Sequence, residues 1–93
     1  MIDSFADKST ENVFNGTRVK KLPPDLIKTA QRKLQYLNAA VTLNDLRVPP
    51  GNRLKALKGD LKGFHAIRIN DQFRIVFTWA NGLASRVQIK DYH

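Results

Sequence analysis

The chain ends in Asp91, Tyr92 and His93, which set a carboxylate, a phenol and an imidazole side by side. An imidazole titrates near neutral pH and is the natural proton carrier there. Terminal residues are usually frayed and inert, which weighs against any lone terminal histidine. Here the triplet follows directly on an alternating, strand-like stretch, Ala84 to Lys90. Upstream, Lys58 precedes Gly59, where a backbone can approach a ligand closely, and a lysine at such a point suits phosphate. Taken alone, Lys58 is one of 16 basic residues, and an ordinary exposed lysine is the simpler reading. It gains meaning only if folding brings it to the C-terminal cluster.

Charge narrows the substrate class. Lys and Arg number 16 against 8 Asp and Glu, a net charge of +8 in 93 residues. Such an excess points to a polyanionic partner: nucleic acid, an anionic membrane surface or an acidic protein. No apolar run approaches the ~20 residues of a membrane-spanning helix. Met1-Ile2-Asp3-Ser4 alternates rather than opening a secretory signal. The absence of cysteine removes disulfides, a thiol nucleophile and thiolate metal ligands. His65 and His93 stand too far apart for metal-ligand spacing. P-loop, nucleophile-elbow and paired-carboxylate patterns are also missing. The expectation is one cytoplasmic domain, residues 1–93, without membrane, metal or cofactor.

The elements that must position these groups read as follows. Ile2 to Phe5 suits a short opening strand. A helix starts from a cap at Asp7 or Ser9, turns Val13 and Phe14 inward and stops at Gly16. A second helix starts at Pro24, with Asp25 complementing its dipole. Leu26, Ile27, Ala30, Leu34, Leu37 and Val41 form its apolar stripe, and Lys28, Arg32 and Lys33 a solvated face. Leu43 and Leu46 anchor a connector that Pro49-Pro50-Gly51 closes. Arg53 to Leu57, Phe64 to Ile69, Gln72 to Trp79 and Ala84 to Lys90 read as strands. Two-residue turns at Asn70-Asp71 and Asn81-Gly82 link the last three. The predicted class is α+β, with helices packed on one face of an antiparallel meander.

With both turns ideal, Phe64, Arg68, Phe73, Phe77, Trp79, Arg86 and Lys90 share one sheet face. Cations interleaved with aromatics suit RNA. The plainer alternative makes the aromatics core and the arginines rim, and pattern alone favours it slightly. The same register sends Arg74 to the other face, beside Val76, Val87, Ile89 and Asp91; a bulge would reverse that.

Leu57-Lys58-Gly59-Asp60, Phe73-Arg74-Ile75-Val76-Phe77 and Lys90-Asp91-Tyr92-His93 together resemble the HigB toxins of the RelE/ParE superfamily. Ile2-Asp3-Ser4-Phe5, Asn81-Gly82 and the length fit as well. The resemblance implies a RelE-like fold and a metal-free endonuclease that cuts mRNA in the ribosomal A site. It also implies restraint by a helix-turn-helix antitoxin of the HigA type. Its site residues carry over as Lys58, Asp91, Tyr92, His93 and Arg74, while the basic residues Lys55, Arg68, Arg86 and Lys90 are expected to bind RNA and the ribosome through phosphate. Lys55 stands where relatives can have histidine. Lysine is a poor proton acceptor at neutral pH, so acid–base chemistry moves to the C-terminal cluster.

Metal-free cleavage needs a base for the 2′-OH, an acid for the 5′-oxygen and positive charge on the phosphorane. His93 and Asp91 are assigned the proton transfers, Lys58 and Arg74 the charge, and Tyr92 the scissile nucleotide. Two competing readings are a gyrase-poisoning toxin on the same fold and a non-catalytic RNA-binding or antitoxin-bound regulator.

Overall fold

The computed structural model describes residues 1–91; Tyr92 and His93 lie outside them. Helix α1 (Lys8–Asn15) and helix α2 (Pro24–Ala39) precede strands β1 (Lys55–Ala56), β2 (Phe64–Arg68), β3 (Phe73–Ala80) and β4 (Leu83–Asp91). The strands form one antiparallel sheet in the order β1-β2-β3-β4. This is the expected α+β arrangement. No helix of the described residues is long and apolar enough to cross a membrane.

Helix α1 begins where the Asp7 carboxylate accepts from the Thr10 N–H at 2.7 Å and ends at Gly16, φ 78°. Of the two candidate caps, Asp7 and Ser9, Asp7 is the one used, and the glycine that stops the helix is the one expected. Val13 is buried and the Phe14 ring packs 5.7 Å from that of Phe5. The Thr10 hydroxyl accepts from the Ile89 N–H at 2.9 Å, which ties the helix to β4.

Helix α2 has Pro24 at its first turn and Asp25 beside it. Leu26, Ala30, Leu34 and Leu37 are buried, each leucine side chain contributing about 1.5–3 kcal/mol of transfer free energy. Two expectations fail here. Val41 is 76% exposed, because the backbone leaves the helix at Ala40. Lys33 is not on a solvated face. It falls seven residues after Leu26 and three after Ala30, inside the stripe, and is only 6% exposed. Its Nζ donates to Asn52 Oδ1 at 2.5 Å. Burial first, then the cations of Arg32 and Arg68, holds its pKa below the ordinary lysine value.

Asn52, fully buried, is the hub of the connector. Its Nδ2 donates to the carbonyls of Leu46 (3.1 Å) and Val48 (3.4 Å) while Oδ1 receives Lys33. Leu46 is the anchor expected, at 1% exposure. The connector leads to β1, shorter than predicted: Arg53 has φ 46° and cannot join a ladder.

Register decides what each face carries. At Asn81-Gly82 both residues have positive φ and Trp79 pairs with Ala84, the two-residue turn expected. The β2–β3 connection departs from expectation. Asn70 Oδ1 accepts from the Gln72 (2.9 Å) and Phe73 (2.7 Å) N–H groups, giving a three-residue loop in which Arg68 pairs with Arg74 rather than Phe73. A bulge then opposes Arg86 and Val87 to Phe77, with Arg86 at φ 54°.

The opening segment is not a regular strand. It runs parallel beside β4 through two bridges, Ile2 to Ala84 and Phe5 to Val87. Between them Ser4 receives the bulge: its Oγ accepts from the Arg86 N–H at 2.9 Å and its carbonyl from the Val87 N–H at 3.1 Å.

Candidate functional site

Alternation along the paired strands sorts the sheet into two faces. Ile67, Ile75, Phe77, Ala84 and Val87 join the helices in one core, with Phe73, Trp79 and Ile89 packed against it. Phe73, Phe77 and Trp79 therefore leave the face on which an ideal register placed them. The plainer alternative, aromatics as core, holds. The other face has Ala66 and Val76 as a buried floor, and neither belongs to the helix-packed core. Phe64, half-buried, is the aromatic that remains on it.

On that face Arg68, Arg74 and Lys90 stand in one cross-strand row. Lys55, exposed, is opposite Ala66 and so lies on the same face, two residues along β2. Arg74 has thus crossed over. It was expected beside Asp91; the Asn70 loop adds one residue to the first hairpin and sets it opposite Arg68, and the bulge at Arg86 sets Lys90 rather than Ile89 on its other side. Like charges set directly opposite cost roughly 0.2–1 kcal/mol per pair. A row of three is a feature that folding alone does not favour.

Asp71 pairs with Arg68 at one end of the row, an exposed acid on a half-buried guanidinium. Among the described residues Lys55, Lys58 and Lys90 enter no ion pair. Asp91 lies opposite Phe73, one residue beyond Lys90, exposed, with its carboxylate accepting from Gln72 Nε2 at 3.0 Å. Arg86 is taken out of the ladder by the bulge and is exposed.

Lys58 sits at the other end of the face. Leu57 N–H donates to the Phe64 carbonyl at 2.9 Å, and Lys58 follows at the start of a turn over Gly59–Leu61. Gly59 has φ 67° with open space where a Cβ would be, so its conformation, not crowding, requires glycine. From Phe64 to the row at Arg68 is four strand residues, roughly 14 Å at ~3.4 Å each. The structure therefore brings Arg68, Arg74 and Lys90 together and leaves Lys58 at a distant rim. Tyr92 and His93 fall outside the described residues, so the joining of Lys58 to the full triplet is not on view.

Such a surface suits an extended polyanion better than a lone phosphate. Cations at both ends can hold successive phosphates, with Phe64 between them as a flat partner for a base. His65, by contrast, is half-buried on the helix-packed face, its ring 5.9 Å from that of Phe77. It lies in β2, within the strand predicted over Phe64 to Ile69.

Sequence reasoning missed the support behind this face, the Lys33–Asn52 bond. The signal was present: a lysine at stripe spacing in α2 and an asparagine directly after Pro49-Pro50-Gly51.

Comparison with known proteins adds the family. Residues 3–93 match the family model described as the RelE-like toxin of the type II toxin–antitoxin system HigB. Toxin HigB-1 of Vibrio cholerae serotype O1 is 44% identical over 81 residues, 86% of this chain and 85% of that protein. Endoribonuclease HigB of Proteus vulgaris is 29% identical over the whole of both chains. The fold is similar to that in the YoeB–YefM complex from Staphylococcus aureus, with a TM-score of 0.63 at 16% identity, covering 100% of this chain and 98% of that one. It is also similar to YafQ from E. coli, with a TM-score of 0.58 at 14% identity over 98% and 91% of the two chains.

Proposed function

The chain belongs to the RelE-like HigB toxins of type II toxin–antitoxin systems, and from that premise we propose that it is a ribosome-dependent mRNA endonuclease. The observation that carries the reading is the row Arg68, Arg74 and Lys90 on the sheet face that the helices leave uncovered. The name Endoribonuclease HigB, borne by a full-length relative, supports the reaction class.

In this mechanism the RNA supplies its own nucleophile. The 2′-oxygen forms a bond to the adjacent phosphorus as its proton passes to a base, and the P–O5′ bond breaks as that oxygen gains a proton. Asp91 and His93 carry the two protons. Arg74 and Lys58, whose long side chains can reach toward one another along the open face, offset from its two ends the charge that grows on the non-bridging oxygens. Tyr92 holds the nucleotide at the cut. Lys55, Arg68, Arg86 and Lys90 contact phosphates of mRNA or ribosomal RNA. The products are a 2′,3′-cyclic phosphate and a 5′-OH. The toxin acts in the cytoplasm, at the ribosomal A site, and is restrained by a HigA-type helix-turn-helix antitoxin.

The test is 5′-end mapping of mRNA in a translating extract, using wild type, Lys58→Ala, Arg74→Ala and a chain lacking His93. Codon-phased 5′-OH ends that need ribosomes and vanish in the variants are expected, with a DNA oligonucleotide left intact. Growth arrest without new ends would overturn the proposal and point to gyrase.

A further inference from the structure

A second surface lies on the helix side of the molecule. The end of α1, the loop after it and the first half of α2 enclose a hollow of about 440 Å³. Its floor is Val13 and Val19, at 0% and 8% exposure, and its walls include the half-buried Leu22 and Ile27. Arg18 and Lys20, both exposed, stand among the lining residues. Among the described residues neither forms an ion pair. Gly16, with φ 78°, makes the sharp exit from α1 possible.

The chemistry selects among occupants. An apolar floor offers nothing to phosphate, and none of the lining residues is aromatic, so a nucleic-acid base has no stacking partner. Apolar depth beneath a cationic rim matches an amphipathic peptide that carries carboxylates, the helix-in-groove mode of recognition. The volume falls within the 300–1,000 Å³ typical of built pockets, roughly enough for a few aliphatic side chains.

We propose that this hollow docks an acidic amphipathic segment of the antitoxin, with apolar side chains against Val13, Val19 and Ile27 and carboxylates facing Arg18 and Lys20. The proposal rests on the toxin reading above and not on the nuclease chemistry. Because the hollow lies on the helix side, a segment seated there leaves the Arg68–Arg74–Lys90 row uncovered. Antitoxin binding and RNA binding can then be altered separately.

The experiment is calorimetric titration of full-length toxin with the purified antitoxin of its own operon. Arg18→Glu/Lys20→Glu is compared with Lys28→Glu/Lys62→Glu, an equal change of charge at other exposed positions. All four side chains are exposed and outside any described ion pair, so both proteins should fold. The expected result is roughly tenfold or greater weakening in the rim variant, a steep loss of salt dependence and a toxicity that antitoxin co-expression no longer relieves, with the control near wild type. Equal affinity of the two variants would overturn the proposal. So would a rim variant that loses ribosome binding while holding antitoxin normally, since the hollow would then serve the ribosome. Failure of the nuclease reading would show separately, as normal antitoxin binding by a protein that cuts no RNA.

Discussion

Replacing Asn52 by alanine should be among the most damaging polar substitutions in this chain. The side chain accepts from Lys33 Nζ at 2.5 Å and donates to the carbonyls of Leu46 and Val48. A hydrogen bond to a charged group contributes about 1.5–3 kcal/mol, and a carbonyl left buried without a donor adds about 1 kcal/mol. Leu46 is buried and Val48 exposed, so water can replace Asn52 only at the second carbonyl. The sum is about 3 kcal/mol, or roughly 12–24 °C in Tm for a domain of this size. Urea denaturation at neutral pH measures it, and the m value should not change. Lys33→Met should be less harmful, and the double variant should fall short of the sum of the two, since each single change already removes the shared bond. The pH dependence has a definite sign. Burial lowers the Lys33 pKa in the folded state, so between that value and 10.5 the unfolded chain binds more protons. Stability therefore carries the full burial penalty below the folded pKa and recovers as pH rises towards 10.5. The difference between wild type and Lys33→Met should show that alkaline recovery. An Asn52→Ala cost below about 0.5 kcal/mol, or an identical pH profile in Lys33→Met, would refute the reasoning.

Two other outcomes follow from backbone and charge. Arg86→Gly should stabilise the fold by about 0.5–1 kcal/mol, because Arg86 holds φ 54° and glycine takes that conformation without the Cβ penalty; thermal melts that show a loss instead would mean the arginine side chain anchors the bulge. Arg68→Gln and Lys90→Gln should each reduce the slope of log affinity against log salt for single-stranded RNA by about 0.7, and unchanged slopes in filter binding would remove those cations from the interface.

The parts of this fold legible in the sequence are those in which one residue's own chemistry decides. Asp7 and Gly16 bound α1 as a cap and a stop. Asn81-Gly82 makes a two-residue turn because both residues accept positive φ. Asn70-Asp71 looks equally suited, but the Asn70 side chain bonds two backbone N–H groups ahead and lengthens the loop. The bulge at Arg86 carries no glycine to announce it. These two departures have opposite effects on phase. Lys90 ends on the same face as Arg68, as the simplest register has it, while Arg74 moves to that face and Phe73 and Phe77 leave it. Lys33 misleads for another reason: a lysine at stripe spacing is normally solvated, and only the distant Asn52 gives it a buried partner. For the site, the sequence motifs supplied the residues, and the pairing of strands supplied which of them stand together.

Ser4 grips the bulge from outside the sheet, through its hydroxyl on Arg86 and its carbonyl on Val87. A bulge is one residue of slack, and slack can migrate. Were it to run out through the end of β4, the strand would slide by one place and Ile89 would take the position of Lys90 opposite Arg74. The opening residues thus act as a pawl on the final strand, blocking that slide. A fault introduced at the N-terminus, by trimming or by an ill-placed tag, would surface at the opposite end of the polypeptide, as misalignment of the residues proposed to cut RNA.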